Sequence, residues 1–87
     1  RKMLSRGIGV QMVTYLNCLA PGSSAEVVGL QATGFTRRRL LDIGLVPGTR
    51  VEVIRHSPSG DPTAYKIRGA IIALRREDSM QVLVLKL

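Results

Sequence analysis

Apolar and polar side chains alternate along the second half of the chain. In residues 49 to 56, TRVEVIRH, Val51 and Val53 flank Glu52. In residues 64 to 69, AYKIRG, Tyr65 and Ile67 share one face and Lys66 and Arg68 the other. In the closing stretch MQVLVLKL, Met80, Val82 and Val84 share a face with Gln81 opposite. A period of two is that of a strand with one wet face. Two more strands are predicted without clean alternation. SAEVVGLQA, residues 24 to 32, is rich in valine, and Gly29 inside it marks a bulge or bend. AIIALR, residues 70 to 75, follows Gly69, which reads as a tight hairpin connection. The prolines, Gly60 and Asp61 of SPSGDP, residues 57 to 62, make a loop, and REDS, residues 76 to 79, a polar corner.

One segment has a different period. TRRRLLDIGLVPG, residues 36 to 48, offers Thr36 as a helix N-cap and no breaker from Arg37 to Ile43. Gly44 stands where a left-handed residue ends a helix, with Leu45 closing on Leu40. Pro47 and Gly48 then fit the central positions of a type II turn. Leu40, Ile43 and Leu45 are expected to plug one end of the sheet. About five short strands and one brief helix, without strand-helix-strand alternation, predict a mainly β, strongly curved antiparallel barrel.

Composition narrows the picture. The chain has 87 residues, 45% of them hydrophobic, yet its aromatics are only Tyr15, Phe35 and Tyr65, so the core must be aliphatic. The longest apolar run, AIIAL, is far short of the ~20 residues of a membrane helix. Cys18 is the single cysteine, which excludes an internal disulfide and zinc-finger spacing; beside Leu16 and Leu19 it reads as a small buried hydrophobe. A reducing cytoplasm fits best. The first fourteen residues hold Arg1, Lys2 and Arg6 and no acid, and Gln11, Thr14 and Asn17 interrupt any signal-peptide core. They are read as an N-terminal extension before one domain at 15 to 87. Exposed edge strands leave homo-oligomerisation by strand pairing open.

The net charge of +7 suits an acidic protein surface or a phosphate. Arg37, Arg38 and Arg39 are the densest basic cluster, with Arg55, Arg75 and Arg76 elsewhere. Read as the first turn of a helix, the cluster opposes the helix dipole, a placement that a docking surface would tolerate. His56 and Asp61 are the only pair that invites a divalent metal such as iron or zinc, and two ligands make at most a weak site. No cofactor is required. Neither an activated nucleophile, paired carboxylates nor a phosphate loop is present, so catalysis has no basis in the sequence. Three aromatics are few for a single-strand nucleic-acid reader, and none is expected to bind.

In order, the chain shows Arg39 and Leu40, Gly44 and Leu45, Pro47 and Gly48, the strand Val51 to Ile54, Pro58 with Gly60 to Pro62, Arg68 and Gly69, Leu74 and Arg75, and Val82 with Val84. This succession resembles the bacterial ferrous iron transport protein A (FeoA) family over residues 15 to 87. Ser79 stands where the family has an alanine. The resemblance implies an SH3-like barrel, cytoplasmic and non-catalytic. It implies action beside FeoB, a membrane ferrous-iron transporter with a cytosolic GTP-binding domain that exposed arginines would contact. It also implies likeness to the C-terminal domain of iron-dependent repressors. A metal-responsive domain of that kind and a nucleic-acid-binding barrel are the alternative functions.

Overall fold

The computed structural model describes residues 12–87. Six strands form one antiparallel sheet: β1 (Val13–Tyr15), β2 (Ser24–Leu30), β3 (Arg50–His56), β4 (Thr63–Ile67), β5 (Ala70–Leu74) and β6 (Val82–Lys86), in the spatial order β1-β6-β2-β3-β4-β5. Helix α1 (Gly34–Asp42) joins β2 to β3, and the single turn α2 (Arg76–Ser79) joins β5 to β6. The predicted strands and hairpins are all present. The sixth, β1, was not anticipated, because three residues of which only Thr14 is polar cannot carry an alternation. It pairs with β6 and so brings Val13 and Thr14, assigned above to the extension, into the sheet. Met12, of the same extension, accepts the Lys86 N–H at 3.0 Å through its carbonyl, and residues 1–11 lie outside the described residues.

Every alternating position named above for β3 and β4 is buried: Val51, Val53, Tyr65 and Ile67 meet Val27, Val82 and Val84 in an aliphatic core with Leu16, Leu40, Leu45 and Leu74. Two irregularities curl the sheet. Against β6, Val27 faces Val84 and Gly29 faces Leu83, so Val28 is the extra residue of a bulge beside the predicted glycine. A second shift between Val53 and Arg55 bends β3 against β4. Such extra residues raise the local twist, which lets a short sheet wrap round its own core.

Four local expectations are corrected. Cys18 is exposed, since it ends the 3-10 turn Leu16–Cys18 in which Leu16 takes the buried position; its thiol lies 3.9 Å from Asn17 Oδ1. Met80 is not a strand residue but follows α2, half exposed. Ile43 packs on the rim of the core without being sealed in it. Finally, α1 begins at Gly34 after Thr33, so Thr36 lies inside the helix and makes no cap; Thr33 makes no side-chain cap bond either.

The end of α1 follows the sequence closely. Gly44 (φ 108°) donates its N–H to the Leu41 carbonyl at 3.0 Å, and Leu45 donates to the Leu40 carbonyl at 3.1 Å, the paired bonds of a Schellman stop. Leu40 and Leu45 are both fully buried, which pins the helix to the core. Thr49 then donates to the Val46 carbonyl at 3.0 Å across Pro47 and Gly48 (φ 94°), the expected type II turn. A side chain at Gly44 would need the left-handed conformation and would place its Cβ 2.6 Å from Arg68 Cδ. Gly44→Ala is therefore expected to cost about 1–2 kcal/mol in urea unfolding from the backbone alone; a cost below about 0.5 kcal/mol would show that the stop does not hold the helix end.

Candidate functional site

Only Leu40 of α1 is fully buried, so the helix lies on the surface and shows most of its side chains to solvent. With the helix starting at Gly34, Arg37 to Arg39 stand beyond its first turn, and the dipole conflict inferred from the sequence lapses. The three arginines have separate fates. Arg39 reaches α2, where Nη1 donates to Asp78 Oδ2 at 3.1 Å and Nη2 to Asp78 Oδ1 at 2.9 Å. This two-pronged ion pair draws on a carboxylate whose side chain is only 12% exposed, against 57% for the arginine. The Asp78 hydrogen bond and charge push the Arg39 pKa upward.

Arg37 and Arg38 are exposed and have no ion pair among the described residues, although Asp42 follows Arg38 by one helical turn. Beside them is a residue that sequence reasoning missed: Phe35, 94% exposed. It precedes Arg38 by three positions and so shares its face of the helix. Gly34, Phe35 and Arg38 line an open depression of about 450 Å³. The available signal was that Phe35 falls outside the apolar spacing of the helix. Arg55, Arg75 and Arg76 are exposed as well and lie on β3 and the β5–α2 junction.

The loop after β3 serves the fold. Asp61 Oδ1 accepts the backbone N–H of Arg76 at 2.9 Å, so the loop carboxylate covers the first open donor of α2. His56 Nδ1 shares a 2.7 Å hydrogen bond with the buried Thr63 hydroxyl. Both polar groups proposed for a weak metal site thus have protein partners. Among the described residues no cluster of three or more His, Cys, Asp or Glu side chains could hold a metal ion. This donor set does not fit a closed transition-metal site.

Residues 14–86 match the FeoA domain family. The chain belongs to the FeoA domain family. A curated relative, the Fe(2+) transport protein A/Fe(2+) transporter FeoB fusion protein of Porphyromonas gingivalis, is 35% identical over 67 residues. That match takes in 77% of this chain, which spans only 8% of the relative. Among solved structures, FeoA of Chlorobium tepidum has a TM-score of 0.79 at 36% identity, covering 85% of this chain and 70% of its own. The zinc complex of Stenotrophomonas maltophilia FeoA, described as an SH3 domain protein, scores 0.74 at 29% identity, covering 82% and 88%. FeoA domains are non-catalytic accessory domains of ferrous iron transport, and the mainly β sheet described above is the SH3-like FeoA fold. No helix among the described residues is long and apolar enough to cross a membrane.

The FeoA motif residues can now be given physical tasks. Leu40, Gly44, Leu45, Pro47 and Gly48 build the helix stop and the turn, Gly60, Asp61 and Pro62 form the loop that covers α2, and Gly69 turns β4 into β5. Ser79 is buried, its hydroxyl donating to the Arg76 carbonyl at 3.4 Å, and Tyr65 is buried in the core. Burial raises the Tyr65 pKa, the nearby Ser79 and Thr63 hydroxyls offsetting this in part. A group whose folded pKa is raised binds its proton more tightly in the native state, so its contribution is intact below the unfolded value and is lost as pH rises through the folded one. Wild type should therefore lose stability above about pH 10 more steeply than Tyr65→Phe. Urea unfolding from pH 8 to 11 checks this, and parallel curves would contradict the assignment.

Proposed function

We propose that this domain is the accessory module of a bacterial ferrous iron uptake system and docks, on the cytosolic side, on the GTP-binding part of a FeoB-type transporter. The observation that carries the reading is the relative in which transport protein A and the FeoB transporter are one polypeptide. Fusion holds two modules at high effective concentration, which benefits parts that act in contact. Ferrous iron is the cargo of the transporter, and the domain acts through its surface.

The contact is assigned to the outer side of α1. Phe35 supplies an aromatic anchor, and Arg37 and Arg38 supply positive charge with no internal partner among the described residues. Aromatic and arginine side chains are the types that carry binding energy at interfaces, while flanking charges steer the encounter. Arg55, Arg75 and Arg76 serve as further basic contacts. Arg39, paired with Asp78, is left out of the proposed contact.

Binding of the full chain to the cytosolic portion of the matching transporter, followed by calorimetry, tests the reading. Phe35→Ala combined with Arg37→Ala and Arg38→Ala is expected to weaken binding at least tenfold, about 1.4 kcal/mol, while leaving the unfolding midpoint nearly unchanged. A labelled oligonucleotide run in parallel at two salt concentrations covers the nucleic-acid alternative. Steeply salt-dependent oligonucleotide binding with no binding to the transporter would overturn the proposal.

A further inference from the structure

The sheet has two ends, and they are not alike. β1 is three residues long, the kind of short edge that offers little for another chain to pair with. β5 is five residues, Ala70–Leu74, in unbroken register with β4 from Ala70 opposite Ile67 to Leu74 opposite Thr63. It has no charge, no proline and no bulge, the devices by which edge strands are usually protected. Among the described residues nothing pairs with its outer side.

The turn before β5 determines which backbone groups are open. Arg68 (φ 51°) and Gly69 (φ 85°) both take positive φ, the signature of a two-residue type I′ hairpin, whose flanking residues Ile67 and Ala70 form a hydrogen-bonded pair. Alternation then gives the ladder bonds to Ala70, Ile72 and Leu74 and turns the N–H and C=O of Ile71 and Ala73 outward. Two donors and two acceptors thus line the edge. Ile71 is 60% exposed, and Ile72, opposite the core residue Tyr65, is only half-buried because no strand lies beyond it. An added strand would satisfy the four polar groups and extend the core over Ile72.

Charge at the ends of the strand selects the occupant. Arg68 lies just before β5, and Arg75 and Arg76 just after it, all exposed. A second copy pairing antiparallel about Ile72 would set Ile71 opposite Ala73 of its mate, but it would also bring Arg68 toward Arg76 across the interface at both ends. Like charges placed opposite one another oppose pairing. We propose that the open edge of β5 accepts, by strand addition, an extended apolar segment of a partner protein that carries acidic residues at both ends. Main-chain bonds to Ile71 and Ala73 hold it, an apolar side chain at its centre covers Ile72, and its acids meet the arginines. The inference concerns this edge alone and stands whether or not the domain docks through α1.

The probe is the peptide Glu-Asp-Val-Thr-Val-Thr-Val-Asp-Glu, added to the full chain with residue-resolved amide hydrogen exchange as the readout. Saturating peptide is expected to slow exchange at Ile71 and Ala73 at least tenfold, with Ile72 slow from the start because its amide already pairs with β4. The same core flanked by lysines should have no effect. Ile71→Pro removes an outward N–H without touching the β4 ladder and should abolish the effect with core protection intact. Ala73→Pro provides the same test should the first variant unfold. An unchanged Ile71 and Ala73 with the acidic peptide, an equal response to the lysine-flanked one, or binding that survives both prolines would overturn the proposal. So would slow exchange at these two amides in the peptide-free chain, or a β5-dependent dimer in sedimentation velocity, since either would mean that the edge is already covered.

Discussion

The ion pair between Arg39 and Asp78 ties together the two helical pieces that interrupt the sheet. Asp78 sits almost out of water and needs a cation, and Arg39 supplies one with both prongs of its guanidinium. Around that contact the other ties of α2 fall into place: Asp61 on its first backbone N–H, and Gln31 N–H on the Gln81 carbonyl just beyond it. A one-turn helix has almost no intrinsic stability. The position of α2 therefore depends on α1, the 57–62 loop and the segment that follows β2.

This arrangement separates arginines that composition alone treats as equal. Arg39 is spent on the fold, its charge neutralised within the chain, whereas Arg37 and Arg38 on the same helix turn outward with Phe35. The arginine-leucine pair of the family pattern, Arg39 and Leu40, thus has a structural explanation at both members: one holds α2 and the other enters the core. The remaining basic side chains among the described residues are exposed and make no ion pair there.

Much of the fold was legible because its signals are local. Alternation in 49 to 56 and 64 to 69, the Gly44 stop and the Pro47–Gly48 turn depend on neighbours a few residues apart, and each was read correctly. What stayed hidden depends on contacts distant in sequence. Arg39 and Asp78 are 39 positions apart and Asp61 and Arg76 are 15, so no local pattern announces either bond. Strand β1 owes its existence to β6, and the exposure of Cys18 and Phe35 follows from where the chain turns rather than from residue type.

The most direct measurement compares three charge-removing changes by urea unfolding: Arg39→Gln alone, Arg37→Gln with Arg38→Gln, and Arg39→Gln with Asp78→Asn. The account predicts that Arg39→Gln lowers the midpoint clearly, because it leaves a buried carboxylate unpaired. Replacing both partners should recover part of that loss, and the Arg37, Arg38 change should leave the midpoint nearly where it was. Equal midpoints for the Arg39 and the Arg37, Arg38 variants would contradict the division of the arginine cluster into one structural residue and two surface residues.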